Sequence, residues 1–130
     1  MNFPIYDISE FSWNNYRIKE HNVLYENPYS AIVPSNKEKF GERIRKFKFV
    51  DADGMLYKVT GFKVLPNKGL AKLLSFTKKI ELEFVRIDEQ YTIEMFKELL
   101  IKRAKETQNE GLEKIVRSAN SFKDILHQIS

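Results

Sequence analysis

Cysteine is absent from the 130 residues, which removes disulfide frameworks, thiolate zinc sites and a cysteine nucleophile together. Histidine is nearly as scarce. His21 and His127 lie near opposite ends with no paired ligand spacing, so neither a histidine-built metal centre nor a histidine-dependent nucleophile is indicated. The five glycines, at 41, 54, 61, 69 and 111, are scattered over turn positions and form no phosphate-cradling loop before a helix. Apolar runs stop after a few residues, far short of the ~20 that a membrane helix needs. The start, Met1-Asn2-Phe3-Pro4-Ile5-Tyr6-Asp7, lacks the charged and then apolar runs of a secretory signal. A cytoplasmic chain without membrane attachment is the expectation.

What is present suffices for one core. The apolar share is 42%, with 10 Phe, 6 Tyr and 1 Trp, and the charged share is 31%, so residues 1–130 are expected to form a single domain. The net charge of +4 is unevenly spread. Residues 37–79 hold 12 Lys and Arg against 4 Asp and Glu, a net of +8. Such a segment suits nucleic acid or an acidic protein face, and equally a solvated, lysine-protected sheet.

Along the chain, Asp7-Ile8-Ser9-Glu10 fits a capping box opening a short helical turn, and Tyr16-Arg17-Ile18-Lys19 alternates like a strand. Ser35-Asn36-Lys37-Glu38 is a second capping box, for a helix running to about Ile44. Phe47 and Phe49 then alternate with Lys46 and Lys48, and Asp51-Ala52-Asp53-Gly54 supplies the turn of a hairpin whose second strand reaches about Leu65. Tyr57 and Val59 differ in parity from Phe62 and Val64, so a bulge at Thr60-Gly61 is expected to return all four to one face. Pro66-Asn67-Lys68-Gly69 reads as a turn, and Leu70, Leu73 and Leu74 have helical spacing. From Lys79 to Ile87 the pattern alternates, with Ile80, Leu82 and Phe84 inward and Glu81 and Glu83 outward. Thr92 caps a helix with the stripe Ile93, Phe96, Leu100 and Ala104, Tyr91 stapling onto Phe96. Gly111 is expected to break or bend the chain. Leu112, Ile115, Val116 and Ala119 mark a second helix, and Ser121 with Asp124 caps a third carrying Ile125, Leu126 and Ile129.

The fold expected is α+β: an antiparallel sheet of three to five strands with the C-terminal helices packed on one face. No catalytic, cofactor or metal residues emerge. Asp51-Ala52-Asp53-Gly54 places its glycine too early for a calcium loop, and Phe62 stands where the closing acid belongs. The Glu-x-Lys of metal-dependent nuclease cores occurs nowhere. Arg45-Lys46-Phe47-Lys48-Phe49-Val50 has the basic and aromatic interleaving of a base-stacking strand, without that motif's glycines, and alternation sends both Phe to the core. The surface residues nominated for partner contact are Arg45, Lys46, Lys48, Lys58, Glu81 and Glu83.

In Ile44-Arg45-Lys46-Phe47-Lys48-Phe49-Val50-Asp51 and Ile80-Glu81-Leu82-Glu83-Phe84, and in its size and lack of cysteine, the chain resembles small bacterial immunity proteins. These neutralise toxins of contact-dependent inhibition and related polymorphic systems. The resemblance covers about half the chain and implies a non-enzymatic protein that binds a toxin domain. Many such proteins are acidic, and this one is basic. The alternative from charge alone is a nucleic-acid-binding accessory protein using residues 37–79.

Overall fold

In the computed structural model, residues 1–9, 22–31, 35–66, 69 and 78–130 are described. They form six strands, β1 (Ile5–Asp7), β2 (Val23–Leu24), β3 (Tyr29–Ala31), β4 (Lys48–Val50), β5 (Leu56–Leu65) and β6 (Lys78–Ile87). Four helices join them: α1 (Lys37–Ile44), α2 (Ile93–Glu106), α3 (Glu110–Ser118) and α4 (Phe122–Ile129). The sheet is antiparallel throughout, in the order β2-β1-β4-β5-β6-β3. The class is the expected α+β, with more strands than expected. The Tyr16–Lys19 alternation and the Leu70–Leu74 spacing lie outside the described residues.

The sheet has to curl. Leu24 and Tyr29 sit on its two edge strands, five residues apart, a reach of at most ~17 Å. A flat sheet of this size sets its edge strands ~24 Å apart. The apolar residues inside the curl are Ile5, Phe49, Val59, Ile80 and Leu82, closed by Phe40 and Ile44 of α1. Leu24 and Tyr29 pack against that group from the two edges.

The C-terminal helices cover the opposite face. Tyr6, Val50 and Leu56 meet Phe96, Leu100 and Ala104 of α2, Leu112 and Val116 of α3, and Ile125, Leu126 and Ile129 of α4. This corrects the simpler expectation of one core. The Phe49–Leu82 stripe is buried as foreseen, but under α1 and its own curl, while residues of the other parity receive the helices. Phe49 is buried and Phe47 half-buried, and the two rings lie 5.9 Å apart within that inner group. Neither offers a bare platform for bases.

Local chemistry explains the element ends. Asn36, one residue past the serine expected to cap, accepts from the Lys39 amide. Thr92 and Ser121 cap as expected, and the Tyr91 and Phe96 rings lie 6.2 Å apart. Gly111 does not break the chain; it lies inside α3. The break falls at Gln108, with φ +55°, and the Asn109 side chain caps the next helix by accepting from Leu112. The helical turn expected from Asp7-Ile8-Ser9-Glu10 runs into residues outside those described, and Asp7 itself does not cap it. Asp7 ends β1, and its carboxylate instead accepts from the Ser9 amide and hydroxyl.

The β4–β5 hairpin turns on a buried carboxylate. Asp51 Oδ1 accepts from the amides of Asp53 and Met55, and its Oδ2 accepts from the Asn2 amide. Gly54 completes the turn at φ +80°, with the Phe122 ring so close that an added Cβ would stand 2.6 Å from it. That ring stacks on Phe96, leaving it little freedom to retreat. Gly54→Ala is therefore expected to destabilise the fold by about 2–3 kcal/mol, from left-handed strain plus overpacking. Chemical denaturation measures it, and a loss below half a kcal/mol would contradict the close approach.

Candidate interaction surface

Register decides which nominated residues meet. Phe49 faces Tyr57 and Lys48 faces Lys58 across β4–β5, and Lys58 faces Val85 across β5–β6. The register shifts between Val59 and Gly61, so the foreseen bulge is there; beyond it Gly61 faces Glu83 and Lys63 faces Glu81. Tyr57, Val59, Phe62 and Val64 thereby share the inner face. Lys48, Lys58, Val85, Glu83, Lys63 and Glu81 fall on the helix-bearing face, along the half of the hairpin that α2, α3 and α4 leave uncovered.

Four nominated residues are thus brought together, and two are not. Arg45 ends α1 and donates from Nε to the Thr60 carbonyl at 3.2 Å, which ties the helix to the bulge. Lys46 follows in the tight turn, its amide bonded to the Arg43 carbonyl. Arg45 is held by that bond, and Lys46 sits in the connection between α1 and β4.

The charge of this surface differs from the count along the chain. Lys48 pairs with Glu89 at 2.7 Å, Lys63 stands opposite Glu81, and the bulge sets Glu83 beside Gly61. Acids from outside residues 37–79 fold back among its lysines, so the segment's +8 does not become a continuous positive track. In the midst of these charges Val85 is 52% exposed. Sequence reasoning passed over Val85, Arg86 and Lys63. The signal for Val85 was its parity, since it shares the outward positions of Glu81 and Glu83 where a polar residue belongs.

A second feature is a buried polar junction where β1 meets α2. Arg103 donates from Nη1 to the Tyr6 hydroxyl at 3.1 Å and the Asp7 carbonyl at 2.7 Å, and from Nη2 to the Ser9 carbonyl at 3.0 Å. Its guanidinium lies 5.5 Å from the Tyr6 ring centre. Burial pushes the Tyr6 hydroxyl up to about 12. Burial likewise raises Asp7 to about 6, against the lowering by the Ser9 hydrogen bonds and Arg103. Among the described residues no buried side-chain nitrogen or oxygen lacks a hydrogen-bond partner.

A hollow of about 460 Å³ opens between the N-terminal residues, the hairpin turn and α4. Phe3, Tyr25, Asp53, Lys123 and His127 line it, and Asp53 already accepts from the Asn2 side chain. It gathers none of the nominated residues. Among the described residues no group of three or more metal-ligating side chains occurs, and no helix is long and apolar enough to cross a membrane.

No family model matches this sequence, and no curated protein or solved structure matches it.

Proposed function

We propose that this chain is a non-enzymatic protein-binding module of the immunity type, which binds and neutralises a cognate toxin domain through the uncovered half of its β5–β6 face. One observation carries the reading: opposite charges alternate there around a half-exposed valine. A protein partner matches such a mosaic with its own mixed charges and an apolar centre. A polyphosphate backbone prefers a track of one sign, and the interspersed Glu81, Glu83 and Glu89 weigh against it.

The test is capture of the purified protein encoded by the adjacent gene. Binding is expected, with thermal stabilisation of both proteins. Lys58→Glu combined with Lys48→Glu is expected to weaken it at least tenfold. Stability should change by under about 1 kcal/mol, because both lysines are surface groups and the Lys48–Glu89 pair is partly solvated. Failure of capture and of stabilisation removes the reading. Binding to duplex or single-stranded nucleic acid that falls steeply with salt would replace it with the nucleic-acid alternative.

A further inference from the structure

We infer that the outer edge of β6 at Phe84–Arg86 is a docking edge that takes an extended segment of the partner protein as an added antiparallel strand; this deepens the protein-binding reading above and rests on it.

The direction of the backbone groups follows from two independent contacts. The Val59 amide bonds the Phe47 carbonyl, so Tyr57 and Val59 turn their amides and carbonyls toward β4. Lys58 therefore exchanges its bonds with Val85, and the residues flanking Val85 turn theirs away from β5. On β6 itself, Leu82 shows the same orientation: its amide and carbonyl both reach outward to the Asn27 side chain, at 2.8 and 2.9 Å. Phe84 and Arg86 share that parity.

Cover on this edge stops short of them. β3 pairs with Lys78, Lys79 and Ile80, and Asn27 occupies Leu82. Beyond it, among the described residues, no strand or side chain meets the outward amides and carbonyls of Phe84 and Arg86. Proteins usually blunt such an edge with charged side chains, proline, a bulge, extreme shortness or a covering loop, and at Phe84–Arg86 the charge of Arg86 is the one of these present among the described residues. β6 has ten residues without proline, its β5 bulge lies on the other side, and Val85 and Arg86 are exposed. The slot offers two donors and two acceptors at strand spacing, which only another extended backbone satisfies together.

Side chains define the occupant. The Arg86 guanidinium contacts the Met55 sulfur at 3.1 Å and has no carboxylate partner among the described residues. An acid on the incoming strand complements it. Val85 on the opposite face takes an apolar side chain, and Phe84 a second one. Read from its N-terminus, an antiparallel occupant therefore runs acid, apolar, apolar.

The experiment compares Arg86→Pro with Arg86→Ala. Proline removes an outward amide and no bond to β5, a position where edge strands tolerate it. Alanine removes only the side chain. With the adjacent-gene product as probe, Arg86→Pro is expected to lose at least tenfold in affinity and Arg86→Ala no more than a few fold. On the unaltered chain, the Phe84 and Arg86 amides are expected to gain hydrogen-exchange protection in the complex, a readout that does not depend on whether the proline variant folds. Equal binding by Arg86→Pro, or unprotected amides in a formed complex, overturns the edge and leaves the proposed function standing. If the adjacent product does not bind at all, the proposed function falls. The edge is then judged with a synthetic Ser-Glu-Val-Leu-Ser peptide at millimolar concentration. Resonance shifts centred on Phe84 and Arg86 support it, and their absence overturns it.

Discussion

Replacing Arg103 by alanine is expected to cost about 3–5 kcal/mol, the range for breaking a hydrogen-bonded charged network. The guanidinium serves three acceptors at once, on Tyr6, Asp7 and Ser9. Ser9 and Asp7 are buried, so carbonyls left without their donor have little access to water. Arg103→Lys should recover only part of the loss, because one ammonium cannot reproduce the planar fork that spans two carbonyls and a phenol. Urea denaturation gives the values. A cost below 1 kcal/mol for alanine, or full rescue by lysine, would contradict the account. The deficit should also be larger at pH 8 than at pH 5. Arg103 favours the charged form of Asp7, and that share of its contribution disappears once the carboxyl is protonated.

Asp7→Asn is expected to stabilise the protein at neutral pH by up to about 3 kcal/mol, the free-energy equivalent of raising a carboxyl from 3.8 to about 6. Here the folded state holds the proton more tightly than the unfolded chain. The folded protein therefore binds more protons between about pH 4 and 6, and its stability falls as pH rises through that window. Above it the full cost of a buried anion is present; below it the cost is gone. Asparagine keeps an oxygen to accept from the Ser9 amide and hydroxyl. Melting temperature is expected to rise on the order of 10 °C at pH 7.5, with the advantage shrinking toward zero by pH 4. A variant that melts lower than the parent at pH 7.5 would show that the ionised carboxylate stabilises the fold.

Legibility in the sequence followed the range of the interactions. The hairpin around Gly54, the bulge at Thr60-Gly61 and the β6 alternation rest on local rules, and they stand where the residues placed them. The short strands β1, β2 and β3, of two or three residues each, exist because distant partners pair with them, and no local propensity announces them. The second core was hidden for a related reason. The helical stripes through Phe96 and Leu100 show that they cover something, but not which parity of the sheet they meet. Asp7 has the look of a cap, yet its pairing with Phe49 makes it the end of a strand. For the surface, alternation alone grouped Lys48 and Lys58 with Glu81 and Glu83. Arg45 left that group because it falls at a helix end, where its side chain finds the Thr60 carbonyl. Arg103 was invisible as anything but a helix cation, since its acceptors lie more than 90 positions away.

The short connection between Leu24 and Tyr29 acts as a drawstring on the sheet. Surface connections ordinarily accept added or deleted residues, but this one caps how far apart the two rims can stand. Removing a residue would lower that cap toward the width the packed rings need, whereas adding several would lift it. Connection length is thus a limit on the width of the barrel-like mouth, acting beside the packing of Leu24 and Tyr29 within it.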